Sequence, residues 1–364
     1  MDFLLQLLLT LAAGGAVGFI FVLFKIPNGL RIGALLGAAL LQVIFNAAWM
    51  PSQTKYMVQV IAGALIGCTM EKSDLRRLPW IIKPTAVMVG TFLILNLGIG
   101  VLIHAVSPLD WVTALMCGVP GGITDIPIIA ADMGADTPKV ALVQLARYIL
   151  GVAFFPPMIL AFDNYMVRKT GARDADSSPD AASASGKVEM KREKSRINSF
   201  PALACTLAAG SAGGFAGYLT GIPAGAFLFS SMAVLVLKLK FDFAYVSPGA
   251  KKIALLVSGC YIGSLITIED VRSFGHLALP LFITLAGYIV NCFATGKIIN
   301  KTCGFNRKES MLATTPAGVS DIALNSAEIG VANTDIIIMQ VMRALIAVAL
   351  FPQIINALLL ILEN

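Results

Sequence analysis

The chain has 364 residues, 57% hydrophobic and only 13% charged, with a mean hydropathy of +0.82 and a formal net charge of +6. Soluble proteins carry roughly a quarter charged residues, so too little polar surface remains to cover a water-soluble body of this size. The basic excess sits in short loops between apolar runs, where Lys and Arg set orientation, and it gives no support to nucleic-acid binding.

A spanning helix needs about 20 mainly apolar residues. In chain order the sequence predicts spans over 4–24, 28–47, a shorter one over 56–70, then 83–105 and 138–162. The apolar piece 110–134 is interrupted by Pro120-Gly121-Gly122. Residues 168–199 are polar, small and charged, and read as a disordered cytoplasmic linker. They divide a first transmembrane repeat, 1–167, from a second, 200–364. The second repeat predicts spans over 200–219, 223–240, 252–268, 275–296 and 335–360, with 309–330 interrupted by Pro316-Ala317-Gly318. The first helix lacks a basic leading segment and has a counterpart at 200–219, so it reads as a retained span and not a signal peptide.

The two halves align without a gap at an offset of 196. Leu11-Ala12-Ala13-Gly14 recurs as Leu207-Ala208-Ala209-Gly210, and Gly63, Ile66 and Gly67 recur as Gly259, Ile262 and Gly263. The densest match is Pro120-Gly-Gly-Ile-Thr-Asp125-Ile126 against Pro316-Ala-Gly-Val-Ser-Asp321-Ile322. Gln144, Arg147 and Phe155-Pro156 then pair with Gln340, Arg343 and Phe351-Pro352. The chain is a tandem duplication.

Charge placement decides the topology, because cytoplasmic loops are enriched in Lys and Arg. With the broken segments re-entrant and the N-terminus outside, 22 of the 27 Lys and Arg gather on the cytoplasmic side. Lys55, Lys139 and Arg272 lie opposite, and Arg147 and Arg343 stay within spans. If both broken segments cross, the bias collapses. Five spans per half make the repeats antiparallel, so the expected fold is an all-α polytopic membrane protein of two inverted repeats, each with a Pro-Gly-broken or re-entrant helix.

Each helix break is followed at once by a hydroxyl and a carboxylate, Thr124-Asp125 and Ser320-Asp321. Irregular backbone at membrane depth survives only against protein or a wet cavity, so Pro120, Gly121, Gly122, Pro316 and Gly318 mark helix breaks facing such a site. Thr124 and Ser320 stand where they can cap the new half-helix, and Asp125 and Asp321 either cap it or hold substrate or a coupling ion. Asn325 replaces Ile129 of the first repeat as a polar lining candidate. Gln144 and Gln340 lie three residues before Arg147 and Arg343, on the same helix face. The arginines either clamp carbonyls of the broken segment or face an anionic substrate. Asp132 and Glu328, near the water boundary, read as solvated, and Arg31 as an orientation charge. Six cysteines without CxxC spacing read as buried thiols, and two histidines are too few for a multi-His metal site. No cofactor or metal is expected.

The blocks CGVPGGITDIPIIAADMGADTPKVALVQLARY and ATTPAGVSDIALNSAEIGVANTDIIIMQVMRA resemble the AbrB-duplication membrane family of bacteria, whose members carry the labels ammonia monooxygenase and regulator of gene expression. The resemblance covers the chain apart from the linker. More distantly the chain is similar to the cation/proton antiporter and bile-acid-transporter superfamily, which implies unwound helices that cross the membrane. The functional expectation is a bacterial inner-membrane secondary transporter for a small polar or charged metabolite, coupled to H⁺ or Na⁺, and not an enzyme. The expected partners are that substrate and the lipid bilayer, with a homodimer compatible and no nucleic acid. The alternative is a membrane sensor acting indirectly on gene expression.

Overall fold

The computed structural model describes residues 3–26, 28–70, 72–170, 199–241, 243–272, 274–317 and 333–362, with 322, 326 and 331. The linker expected at 168–199 therefore lies almost wholly outside the described residues. The chain is a multi-pass α-helical membrane protein. Among the described residues five helices are long and apolar enough to cross a bilayer: Phe3–Leu23, Arg77–Val106, Pro201–Leu219, Gly275–Cys303 and Asp335–Ile361. A sixth forms if Thr137–Ala153 and Phe155–Lys169, bent by 43°, count as one. Their outward faces carry exposed Leu4, Leu8, Phe19, Ile94, Phe282 and Ile361, side chains that match lipid and not water.

The helices sort into two bodies, each drawing on both repeats. One body holds α1 (Phe3–Leu23), α2 (Gly29–Phe45) and α3 (Thr54–Gly67) from the first repeat. With them pack α9 (Ser199–Leu219), α10 (Gly225–Val236, continued by a π turn) and α11 (Pro248–Ser264) from the second. The expected spans at 28–47, 56–70, 223–240 and 252–268 are thus occupied by helices, though of only 17, 14, 12 and 17 residues. Small residues govern this body, as they do wherever membrane helices approach closely. On α1 the buried residues are Thr10, Gly14 and Gly18, one per turn on a single face. A Cβ added at Gly263 of α11 would come 2.2 Å from the Leu35 carbonyl oxygen on α2.

The second body holds α4 (Lys72–Val106), α5 (Trp111–Gly118), α6 (Asp125–Asp132), α7 (Thr137–Ala153) and α8 (Phe155–Thr170). Its second-repeat members are α13 (Phe274–Cys303), α14 (Arg307–Ala313) and α15 (Thr334–Leu362), preceded by the short α12 (Ile268–Arg272). The bend between α7 and α8 falls at Phe155-Pro156, as Pro predicts. Its counterpart Pro352 lies inside the uninterrupted α15.

Two features orient this body. First, α4 and α13, repeat mates, run antiparallel: Lys83 Nζ donates to Thr302 O (3.0 Å), Thr295 Oγ1 to Thr91 Oγ1 (3.0 Å), and Gly287 abuts Ile99. Second, the first broken segment is a hairpin and not a crossing, and the described ends of the second lie side by side. Asp136 N, just beyond α6, donates to Thr113 Oγ1 in the first turn of α5 (2.9 Å), so both ends of the first segment sit at one level. At the corresponding place in the second repeat, Asn333 Nδ2 donates to Glu309 Oε1 (2.9 Å). The expected re-entrant geometry therefore holds for the first segment, against the crossing implied by the distant superfamily.

Charges collect at the two ends of the molecule. At one end lie Lys83 beside Thr302, the Arg77–Asp335 pair (2.8 Å), and Asp163 between Arg307 and Lys308 (both 3.3 Å). At the other lies Lys55–Asp132 (2.7 Å). The glycine contacts give a direct check. Gly263→Val drives a methyl into the Leu35 carbonyl and is expected to lower stability by about 1–3 kcal/mol. Gly90→Ala, where an added Cβ meets nothing within 4 Å, leaves the melting temperature in detergent unchanged.

Candidate functional site

The site grows from the freed backbone of the two hairpins. A helix break inside the membrane exposes carbonyls that water cannot reach, so side-chain donors must serve them. Gln144 and Arg147, one turn apart on α7, do this for the first hairpin. Gln144 Nε2 donates to Met116 O (3.3 Å) and Val119 O (3.1 Å), and Arg147 Nη2 donates to Gly121 O. In the second repeat Gln340 Nε2 donates to Ala313 O (2.6 Å), and Arg343 donates to Thr315 O (3.0 Å) and Ala317 O (2.8 Å). Of the two roles expected for the arginines, this geometry is the carbonyl clamp. Each Nη group serves one carbonyl, which leaves further N–H donors on both guanidinium groups.

Arg147 does more than serve its own repeat. Its Nη1 donates to Pro316 O of the other hairpin (3.3 Å), so one guanidinium ties both breaks together. Since α5 starts at the Lys55 end and α14 at the Lys83 end, the hairpins enter from opposite ends and meet at this residue. Two aromatic rings share the charge. The Arg147 guanidinium lies 5.6 Å from the Tyr288 centroid and that of Arg343 5.7 Å from the Phe92 centroid. Phe92 and Tyr288 are repeat mates with centroids 6.3 Å apart, and Tyr288 OH donates to Gly118 O (2.8 Å). Cation–π contact of this kind gains strength when desolvated. Gln144 Oε1, Arg147 Nε, Gln340 Oε1 and Arg343 Nε are buried without hydrogen-bond partners among the described residues.

Just past the first break the chain turns into α6. Thr124 occupies the N-cap position but makes no side-chain cap; its hydroxyl donates to Asp125 Oδ1 instead (3.2 Å). The expected Thr124 cap is thus replaced by a tether on the carboxylate. The carboxylate folds back over Gly122, where an added Cβ would lie 2.1 Å from Asp125 Oδ2, so Gly122 leaves the space that Asp125 fills. Asp125 faces a cavity of about 10 Å³ between the two bodies, lined also by Arg31, Val58, Ala62, Leu65 and Ser258. That is room for about one water. Arg31 is half-buried at the start of α2, and its Nε has no hydrogen-bond partner among the described residues. Beyond the orientation role expected of it, Arg31 therefore shares a cavity with Asp125.

Elsewhere the bodies are joined by a few polar ties. Asn28 Nδ2 donates to Tyr148 OH (2.7 Å), and Gln353 Nε2 to Pro223 O (2.8 Å). Asp132, expected to be solvated, instead pairs with Lys55 and accepts from Gln59 Nε2 (2.6 Å). Gly318, Ser320, Asp321 and Asn325, expected at the site, fall outside the described residues, as does Glu328. Among the described residues no three His, Cys, Asp or Glu side chains group as they would around a metal ion.

This duplicated, hairpin-bearing architecture matches a known family. The family described as transition state regulatory protein AbrB matches residues 1–163 and again 168–359, one match for each repeat. The chain belongs to the AbrB family. It is also similar to the uncharacterized protein YhjN of Bacillus subtilis (strain 168), 26% identical over 369 residues that cover 96% of this chain and 92% of that one.

In this AbrB-family chain, sequence reasoning missed two elements of the site. Arg31 has Phe227 as its repeat mate, so the duplication gave no signal for it. Lys55 and Gln59 meet Asp132 from 77 and 73 positions away, and nothing local connects them. The clamp itself makes a graded prediction. Arg343→Ala removes the guanidinium donor from Ala317 O and leaves Thr315 O only the Ala317 N–H, and is expected to cost about 2–3 kcal/mol. Tyr288→Phe keeps the ring and loses one hydrogen bond, at about 1 kcal/mol. Thermal unfolding in detergent should give the order wild type, Tyr288→Phe, Arg343→Ala.

Proposed function

We propose that the chain is a secondary active transporter of the bacterial inner membrane, moving a small polar or charged metabolite by alternating access with H⁺ or Na⁺ as coupling ion. The observation that carries this reading is the meeting of two helix breaks, entered from opposite ends, at Arg147. Discontinuous helices at the interface of inverted repeats are where secondary transporters bind their cargo. The antiparallel course of α4 and α13 supports the inverted arrangement of the two repeats. The bodies meet through polar ties and a shared apolar cluster, Leu35 and Ile262 on one side and Ile128 and Ala141 on the other, and in this reading that seam is where one moves against the other.

In this reading Asp125 holds the coupling ion or titrates, with Thr124 orienting its carboxylate and Arg31 supplying the opposing charge across the body interface. Arg147 and Arg343 keep the breaks open without binding cargo, and Asp321 with Ser320 would repeat the Asp125 role. Gln144 and Gln340 leave one acceptor each for a ligand or water. No reaction is assigned, and the chain is read as a carrier and not an enzyme. A second reading, a sensor that alters gene expression indirectly, draws on the description of the family as regulatory.

Purified protein in proteoliposomes, with an imposed H⁺ or Na⁺ gradient and a panel of labelled metabolites, tests the proposal. Gradient-dependent uptake of at least one compound is expected, falling at least tenfold in Asp125→Asn and Arg31→Gln. No uptake across a broad panel, with both variants leaving cell phenotypes unchanged, sinks it. Gly122→Ala is a finer probe. Its new methyl meets Asp125 Oδ2 at 2.1 Å and Cγ at 2.7 Å and so turns the carboxylate out of place, and uptake should fall by a larger factor than the accompanying drop in stability of about 1–3 kcal/mol explains.

A further inference from the structure

A second cavity lies away from the site. A groove of about 690 Å³ runs between α4 and α13 on the lipid-facing side, and its walls are almost wholly apolar. On α4 it extends from Thr91 to Leu102, which at 1.5 Å per residue is about 16 Å, close to one leaflet of a bilayer whose hydrocarbon core is about 30 Å thick. Gly98 and Ala294, repeat mates, keep it open: a Cβ added at Gly98 meets nothing within 4 Å. No Asp or Glu lines it.

The two mouths differ. On α13 the groove residues Val290 and Ala294 continue one helix stripe into Lys297 and Lys301, both exposed. Across the seam stands exposed Lys83, whose Nζ reaches Thr302 O next to Lys301 (3.0 Å). The repeat mates of these three lysines, which fall toward the opposite mouth, are Leu279, Val101 and Ala105. The repeat symmetry holds along the groove and is broken at its mouths, of which one is basic.

We infer that this groove is a binding site for one anionic glycerophospholipid, with an acyl chain along Gly98 and Ala294 and the phosphate at Lys83, Lys297 and Lys301. An apolar channel one leaflet deep fits an acyl chain, and a basic cluster at its mouth selects a negative headgroup. Basic pockets between membrane helices recognise such headgroups, with each Lys near the surface contributing severalfold in affinity. Lysines serving orientation alone would need no groove of matching length beside them.

Native mass spectrometry of the full-length protein, released from detergent after incubation with dioleoyl phosphatidylglycerol or dioleoyl phosphatidylcholine, tests this. Wild type is expected to retain one phosphatidylglycerol with at least about fivefold preference over phosphatidylcholine. The triple variant Lys83→Gln, Lys297→Gln, Lys301→Gln should keep binding lipid and lose the preference. Gly98→Leu and Ala294→Leu, which fill the channel, should lose retention of both lipids with the fold intact by circular dichroism. Equal retention of the two lipids by wild type overturns the proposal. So does unchanged preference in the triple variant, or a wild-type dimer that Gly98→Leu converts to monomer, which would make the groove an interface between copies.

Discussion

Everything in this molecule depends on backbone carbonyls set free inside a membrane. A helix that breaks in the hydrocarbon region strands acceptors that neither water nor lipid can satisfy. Here Gln144 and Arg147 serve one break, and Gln340 and Arg343 serve the other. The guanidinium suits the task because it is planar, always charged and presents several donors in a fixed fork. Its charge is spread against Tyr288 and Phe92, with no carboxylate partner among the described residues. Carbonyl oxygens carry the negative end of the peptide dipole, and several of them around one cation stand in for a counter-ion.

That arrangement leaves the acidic group beside it available. Asp125 is held by a neighbouring hydroxyl, not by an arginine, and it looks into a gap between two bodies. The bodies themselves are packed differently inside and between. Within the first, backbones approach until a single methyl would collide, as at Gly263 against Leu35. Between the bodies, Ile32, Leu35 and Ile262 of the first share an apolar cluster with Ile128, Ala141 and Leu145 of the second, and Asn28–Tyr148, Gln353–Pro223 and the Lys55–Gln59–Asp132 cluster add polar ties.

Much of this was legible in the sequence, because duplication writes each constraint twice. The Gln-x-x-Arg spacing announced a donor pair on one helix face, and the Pro-Gly breaks announced its acceptors. Charge counting favoured hairpins over crossings, and the Asp136–Thr113 bond agrees for the first segment. The losses share a cause: they concern residues that act singly or at long range. Arg31 looks like any loop arginine until folding sets it beside Asp125. Asp132 looks solvated until Lys55 and Gln59 arrive from another helix. Thr124 has cap chemistry, but its hydroxyl prefers the adjacent carboxylate, a choice that depends on local dihedrals and not on residue type. The α4–α13 groove requires the antiparallel register of two helices far apart in the chain.

One feature of the fold bears on how such a protein is divided. The covalent boundary falls between the repeats, near residues 168–199, yet neither body is a repeat: each takes helices from both sides of that boundary. Phe92 of the first repeat is covered by Tyr288 of the second, and Gly63 of the first by Phe227 of the second. The halves are therefore interleaved, like two hands with fingers crossed. During synthesis the first half must wait, with half of each body missing, until the second emerges. The stretch between them is then less a hinge between domains than a tether that keeps two incomplete partners together until they can finish one another.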